Sequence, residues 1–130
     1  DVLGSRGLGD VYKRQPIYKI IEILGNFINN AIDALEVYSP KRLHVQIIES
    51  NNDFVLFVDN SGEYIITEEF SNFFRKGYSK KGDGRGLGLY AIKKMSMEYE
   101  FDIICCNELI DESNMVRFGI RKNKETTKQN

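Results

Sequence analysis

The chain has 130 residues, 42% hydrophobic and 28% charged, with 18 basic against 19 acidic side chains and a formal net charge of −1. That length suits one domain with a core of its own, built without disulfide or metal staples. The charge balance excludes an electrostatic case for nucleic acid or an anionic membrane, and no apolar run approaches the roughly 20 residues of a membrane span.

Residues 1–15 carry no helical or strand period and begin without Met, so they read as an extension foreign to the fold. Their Gly4, Gly7 and Gly9 lack the strand and helix that flank a phosphate loop. From Pro16, a residue tolerated in a first helical turn, apolar side chains recur at helical spacing: Ile17, Ile20, Ile21, Leu24, Phe27, Ile28, Ala31, Ile32 and Leu35. Ser39-Pro40 ends that helix. Leu43, Val45 and Ile47 alternate with Arg42, His44 and Gln46, which predicts a half-buried strand. Asn51-Asn52-Asp53 turns the chain into a more buried strand over Phe54–Val58. Residues 62–85 read as a long loop with one short helix around Thr67–Phe74, and Leu89, Ile92, Met95 and Tyr99 mark a further helix. Two strands close the chain, one through Phe101, Ile103 and Cys105, the other through Val116, Phe118 and Ile120, joined near Leu109–Asn114. A polar tail occupies 123–130.

Hairpins dominate this order and no β-α-β crossover series is visible. The pattern predicts an α+β fold over residues 16–122, a two-layer α/β sandwich with a mixed, mostly antiparallel sheet and helices on one face. Cys105 and Cys106 are adjacent in a strand, so their side chains point to opposite faces, and with a single His elsewhere they form no metal-ligand set. Two free thiols point to a reducing, cytoplasmic compartment.

The first helix carries the chemistry. At roughly 100° per residue, Glu22, Asn26, Asn29, Asn30 and Asp33 share one arc beside the apolar face. Asn is a poor helix former, and a solvated face would normally carry Lys, Glu or Arg there. This arc instead holds neutral carbonyl oxygens and no cation. Much later, Gly82-Asp-Gly-Arg-Gly-Leu-Gly-Leu-Tyr90 precedes another amphipathic helix. Its glycines let backbone approach a ligand, and amides at a helix start favour an anion such as phosphate. The spacing matches neither a dinucleotide fingerprint nor a P-loop, and a plain hinge accounts for it equally well when taken alone. Val58-Asp59-Asn60-Ser61-Gly62 sets an acidic residue at the end of a buried strand, either as a turn cap or as an acceptor for an exocyclic amine. Phe74-Arg-Lys-Gly-Tyr-Ser-Lys-Lys-Gly82 is either a solubilising loop or a cationic lid for a triphosphate.

With these four pieces in order, residues 17–121 resemble the GHKL (Bergerat-fold) ATPase family, and within it the ATP-binding domain of sensor histidine kinases of the peptide-pheromone and dicarboxylate type. Asn26–Ala34 is similar to the family's N box, Asp59–Gly62 to its G1 box, Phe73–Gly77 to its F box and Gly84–Gly88 to its G2 box. The resemblance implies a Mg²⁺-ATP site in which Asn30 gives an amide oxygen to Mg²⁺ and Asp59 accepts the adenine amine. Gly86, Leu87 and Gly88 would hold phosphates through backbone N–H groups. Asn26, Asp33, Ser61, Gly62, Lys81, Gly84 and Arg85 complete the expected contacts. Asn26 stands where the hydrolytic branch has a Glu, which favours phosphoryl transfer over hydrolysis.

Two departures stand out. Ser61 and Glu63 occupy the positions of the usual G1 glycines, with Gly62 one register away. The sole His, His44, sits in a strand and not on an exposed helix beside an acidic residue. The phosphoacceptor is therefore expected on a separate dimerisation domain of a membrane-anchored, homodimeric kinase that passes the phosphoryl group to a response regulator. A non-catalytic nucleotide sensor and an anti-sigma-type serine kinase of the same fold are the alternatives.

Overall fold

The computed structural model describes residues 17–78 and 88–123. Helix α1 spans Ile17–Leu35, and a hairpin of strands β1 (Leu43–Glu49) and β2 (Asp53–Ser61) follows. The short helix α2 covers Thr67–Phe73 and α3 covers Leu89–Tyr99. Strands β3 (Asp102–Ile110) and β4 (Ser113–Asn123) form the closing hairpin. All pairings are antiparallel and the strand order is β1-β2-β4-β3. The expected α+β class and element order are what the fold shows. Strand β4 reaches Asn123, where it pairs with Asp53, so the last strand extends one residue into the stretch read as tail.

The core lies between the helices and one face of the sheet. Ile20, Ile23, Phe27 and Ala31, at helical spacing on α1, pack with Phe54, Leu56 and Val58 from β2, Ile120 from β4 and Ile92 from α3. Leu56, Ile92 and Ile120 are fully excluded from water, and each buried aliphatic side chain of this kind contributes about 1.5–3 kcal/mol. Period-2 alternation on β2 then assigns the faces: Leu56 and Val58 meet α1, while Val55 and Phe57 point to the open side.

Phe118 organises the part of the core beneath α2. Its ring lies 6.2 Å from Phe27, 5.8 Å from Phe70, 6.2 Å from Phe73 and 6.1 Å from Phe74. Phe70, Phe73 and Phe74 thereby anchor the short helix and its C-cap to the sheet. Helix α3 ends at Glu100 in the left-handed conformation, and Lys122 Nζ donates to the carbonyls of Tyr99 (2.7 Å) and Glu100 (3.3 Å). A cation there offsets the unpaired carbonyls and the dipole of the helix end.

One expectation fails. The alternation of Leu43, Val45 and Ile47 predicts a half-buried strand, yet β1 is exposed along its whole length. It is the edge strand, and α1 sits over β2, so β1's apolar row has no helix above it among the described residues. Among those residues, no helix is long and apolar enough to cross a membrane.

Candidate functional site

The asparagine arc of α1 keeps its place beside the core. Asn26 is 5% exposed, flanked by Ile23 and Phe27 of the buried stripe, and its Nδ2 donates to the Glu22 carbonyl at 3.2 Å. That bond uses one of the amide's two N–H donors, and Oδ1 has no partner among the described residues. Asn30, one turn on, is half-buried and makes no side-chain hydrogen bond among those residues. An amide acceptor left open on a core-flanking arc is available to a ligand. Asp33 continues the same arc at intermediate burial.

Asp59 is not on this side of the sheet. It follows Val58 on β2, so its side chain points to the face away from α1, where His44 and Arg117 are its cross-strand partners. There it is fully buried and accepts two hydrogen bonds from Arg117, from Nε at 2.7 Å and Nη2 at 3.0 Å. The guanidinium lies 3.9 Å above the Phe57 ring, and His44 Nδ1 is 3.4 Å from the second carboxylate oxygen. Hydrogen bonding to Asp59 raises the Arg117 pKa, which keeps the cation charged at any ordinary pH. This bidentate pair, stacked on an aromatic ring, satisfies a buried carboxylate. Asp59, expected from the resemblance to accept an adenine amine, thus lies on the face of the sheet away from α1.

Ser61 shares the open face with Asp59. Its hydroxyl donates to the Pro40 carbonyl at 2.5 Å and accepts from the Arg42 N–H at 3.0 Å, stitching the start of β1 to the end of β2. Gly62 leaves the strand with its N–H donating to the Asn114 carbonyl at 3.1 Å, while its own carbonyl accepts from Asn114 Nδ2 at 3.0 Å. The residue on the α1 side is Asn60, 6% exposed, in the row of Leu56 and Val58 and between Leu43 and Val116. Its Nδ2 donates to the Ser61 carbonyl at 3.0 Å.

Asn107 of β3, in the row of Asn60 and Val116, holds the segment after Gly62. It donates to the Ile65 carbonyl at 2.8 Å and accepts from the Ile65 N–H at 3.0 Å and from Asn114 at 3.1 Å. Asn60, Asn107, Asn114 and Arg117 escaped sequence reasoning. The available signal was the presence of Asn inside strands, where it is disfavoured.

Gly88 is the N-cap position of α3, with no side-chain cap. Lys81, Gly84, Arg85, Gly86 and Leu87 lie outside the described residues, as do the 1–15 extension and Pro16. Among the described residues, no three His, Cys, Asp or Glu side chains cluster as a metal cage. Such a site suits a cation held by one amide oxygen together with ligand oxygens, the mode of Mg²⁺ with a phosphate. A separate open cavity of about 690 Å³ lies between α2, α3 and β3, lined in part by Phe70, Phe74, Phe101 and Asn107, and no residue of α1 contributes to it. Burial raises the pKa of both thiols, Cys105 and Cys106, so they are not poised nucleophiles.

Comparison with known proteins points to one family. A family model described as a GHKL domain matches residues 16–108. The sensor protein CitS of Bacillus subtilis is 36% identical over 74 residues, covering 57% of this chain and 14% of that protein. A probable C4-dicarboxylate sensor kinase of Halalkalibacterium halodurans is 34% identical over 95 residues, covering 71% of this chain and 18% of that protein. The chain thus spans less than a fifth of the length of these curated relatives. Among solved structures, the nucleotide-free catalytic domain of the histidine kinase ThkA superposes with a TM-score of 0.58 at 25% identity, over 76% of this chain and 62% of that one.

Proposed function

The chain belongs to the GHKL family, as an ATP-binding catalytic domain of the sensor histidine kinase type, and from that premise we propose that it binds Mg²⁺-ATP and transfers the γ-phosphoryl group to a histidine on a dimerisation domain of the same full-length kinase. The observation that carries this is the pair of asparagines, Asn26 and Asn30, whose Oδ1 atoms lack partners among the described residues on a core-flanking arc, inside the segment matched by the family model.

In this reading Asn30 Oδ1 would hold the metal, and Asn26 and Asp33 would orient the nucleotide and its bound waters along the same helix face. When bound, Mg²⁺ neutralises charge on the phosphate oxygens. Backbone amides of Gly84, Gly86, Leu87 and Gly88 receive the phosphates, and Lys81 and Arg85 add fixed positive charge. The bond between the γ-phosphorus and the bridging oxygen breaks, ADP leaves, and the phosphorus–nitrogen bond to the acceptor imidazole forms. Asn26, a neutral amide, has no basic lone pair with which to activate water, so it supports transfer over hydrolysis. Catalysis then rests on positioning and charge stabilisation.

The partners that follow are the acceptor domain and a response regulator, in a membrane-anchored homodimer whose kinase domain is cytoplasmic. The test incubates the chain with γ-phosphate-labelled ATP and a separately expressed acceptor helix pair from a dicarboxylate-type kinase. Acid-labile label on the acceptor histidine is the expected result. Acid-stable label would identify a serine kinase instead, and ATP binding without label would identify a nucleotide sensor.

A further inference from the structure

Resting on the nucleotide reading above, we propose that Asn107 is a positioning residue for the nucleotide. Through its two bonds to the Ile65 backbone, braced by Asn114, it sets residues 62–66 and the start of α2 as the wall of the cleft that faces the amide arc of α1.

The course of that wall follows from its bonds. Gly62 leaves β2 and folds over the helix-covered row, where a Cβ on it would lie 3.4 Å from Asn60 Nδ2 and 3.5 Å from Val116. Its N–H and C=O are both bonded to Asn114 of β4, and three residues later those of Ile65 are both bonded to Asn107 of β3. The segment therefore crosses the end of the sheet from β2 to β3, over β4. The same end receives α1: Lys41 Nζ donates to the carbonyls of Leu35 and Tyr38, and Arg42 is bonded to Ser61. The asparagine flank of α1 turns inward, with Asn26 5% exposed against 62% for Ile21 and 48% for Ile32 on the opposite flank. Phe118 lies beneath both helices, its ring 6.2 Å from Phe27 of α1 and 5.8 Å from Phe70 of α2. The arc and the crossing segment thus flank one cleft.

Residues 62–66 have no regular structure of their own. Helix α2 has seven residues, well short of the roughly 12–15 at which a helix persists alone, and its N-cap, Ile66, makes no side-chain cap bond. Phe70, Phe73 and Phe74 anchor the body of α2, and Asn107 holds the approach to its first turn. A carboxamide presents a donor beside an acceptor, as a peptide group does, so Asn107 pairs with Ile65 as a neighbouring strand would. Its Oδ1 also accepts from Asn114 Nδ2 at 3.1 Å, which fixes the orientation of the amide. Asn is disfavoured inside strands, and here it secures a segment that no strand ladder reaches.

The test combines calorimetric titration of the whole chain with Mg²⁺-ATP, urea unfolding, and exchange of the Ile65 amide proton followed by NMR. Asn107→Ala, titrated where urea unfolding shows it fully folded, should bind Mg²⁺-ATP about tenfold more weakly, the worth of one hydrogen bond. Its Ile65 amide should exchange faster than in wild type. Asn114→Ala keeps both Ile65 bonds and removes the side-chain bonds to Gly62 and Asn107. It should shift affinity and exchange in the same direction by a smaller factor, and it carries the test if Asn107→Ala does not fold. In the wild-type chain, saturating Mg²⁺-ATP should slow Ile65 exchange, because the coupling between wall and ligand is reciprocal. Unchanged affinity in the folded variants, affinity lost while Ile65 exchanges as in wild type, or Ile65 exchange indifferent to bound nucleotide overturns the positioning role and leaves the ATP reading standing. A wild-type chain that binds no Mg²⁺-ATP overturns both.

Discussion

Asp59 and Asn60 are consecutive residues of one strand, both buried, and they teach opposite lessons about buried polarity. On the open face of the sheet, Asp59 is completely engaged: two charge-assisted bonds from Arg117, a ring beneath the guanidinium and an imidazole at 3.4 Å. On the helix-covered face, Asn60 donates one of its two amide N–H groups to the Ser61 carbonyl at 3.0 Å. A buried ion must be paired at all times, so it becomes architecture. A buried amide, being neutral, tolerates partial satisfaction at a cost of about 1–3 kcal/mol.

That contrast is sharpest if the two faces respond to different measurements. The largest expected effect is on the open face: Arg117→Ala strands the Asp59 carboxylate and should lower unfolding stability by about 3–5 kcal/mol in urea titrations. The folded fraction of that variant should bind Mg²⁺-ATP like wild type. A loss of nucleotide affinity without a loss of stability would reverse the roles of the two faces.

Asn30→Ala should do the converse. It removes an amide oxygen that makes no hydrogen bond within the described protein, so stability should stay within about 0.5 kcal/mol of wild type. Mg²⁺-ATP affinity should fall at least about tenfold, with a smaller loss for ATP in the absence of Mg²⁺. Equal losses with and without the metal would move the Mg²⁺ ligand elsewhere.

The smallest effect concerns the paired thiols of β3, which straddle the two faces. Burial raises the pKa of each, and the Glu108 carboxylate adds to this for Cys106 while Arg117 opposes it. A folded-state pKa above the unfolded one means the fold retains the proton. Their contribution is therefore intact below the unfolded thiol value of about 8.5 and is lost as pH rises through the folded value. Thermal stability should decline slightly above that pH, and Cys105→Ala/Cys106→Ala should flatten the decline.

The helices and strands were legible because their signals are local. Ile20, Ile23, Phe27 and Ala31 announce one buried helix face at a period of 3.6, and Phe101, Ile103 and Cys105 announce a strand at a period of 2. The asparagine arc was legible for the same reason, since Asn26 and Asn30 violate helix preference in a regular place. The exposure of β1 was not legible. Its alternation is that of any strand with one apolar face, and only the sheet order shows that it lies at the edge, beyond the reach of α1.

By itself, then, the sequence determined the element order and the amide face of α1, which depend on residues within a turn or two of one another, and, through four motifs in order, the family resemblance. Only the tertiary structure decided which of Asp59 and Asn60 looks toward that face, because alternation shows that neighbours diverge and not which side the helix covers. It also decided that Asp59 belongs to Arg117, 58 residues further along, a partnership that arises only when β2 and β4 pair in register. A strand's inner side is defined by what packs against it, and in this chain that definition is made by Leu56 and Val58 meeting α1.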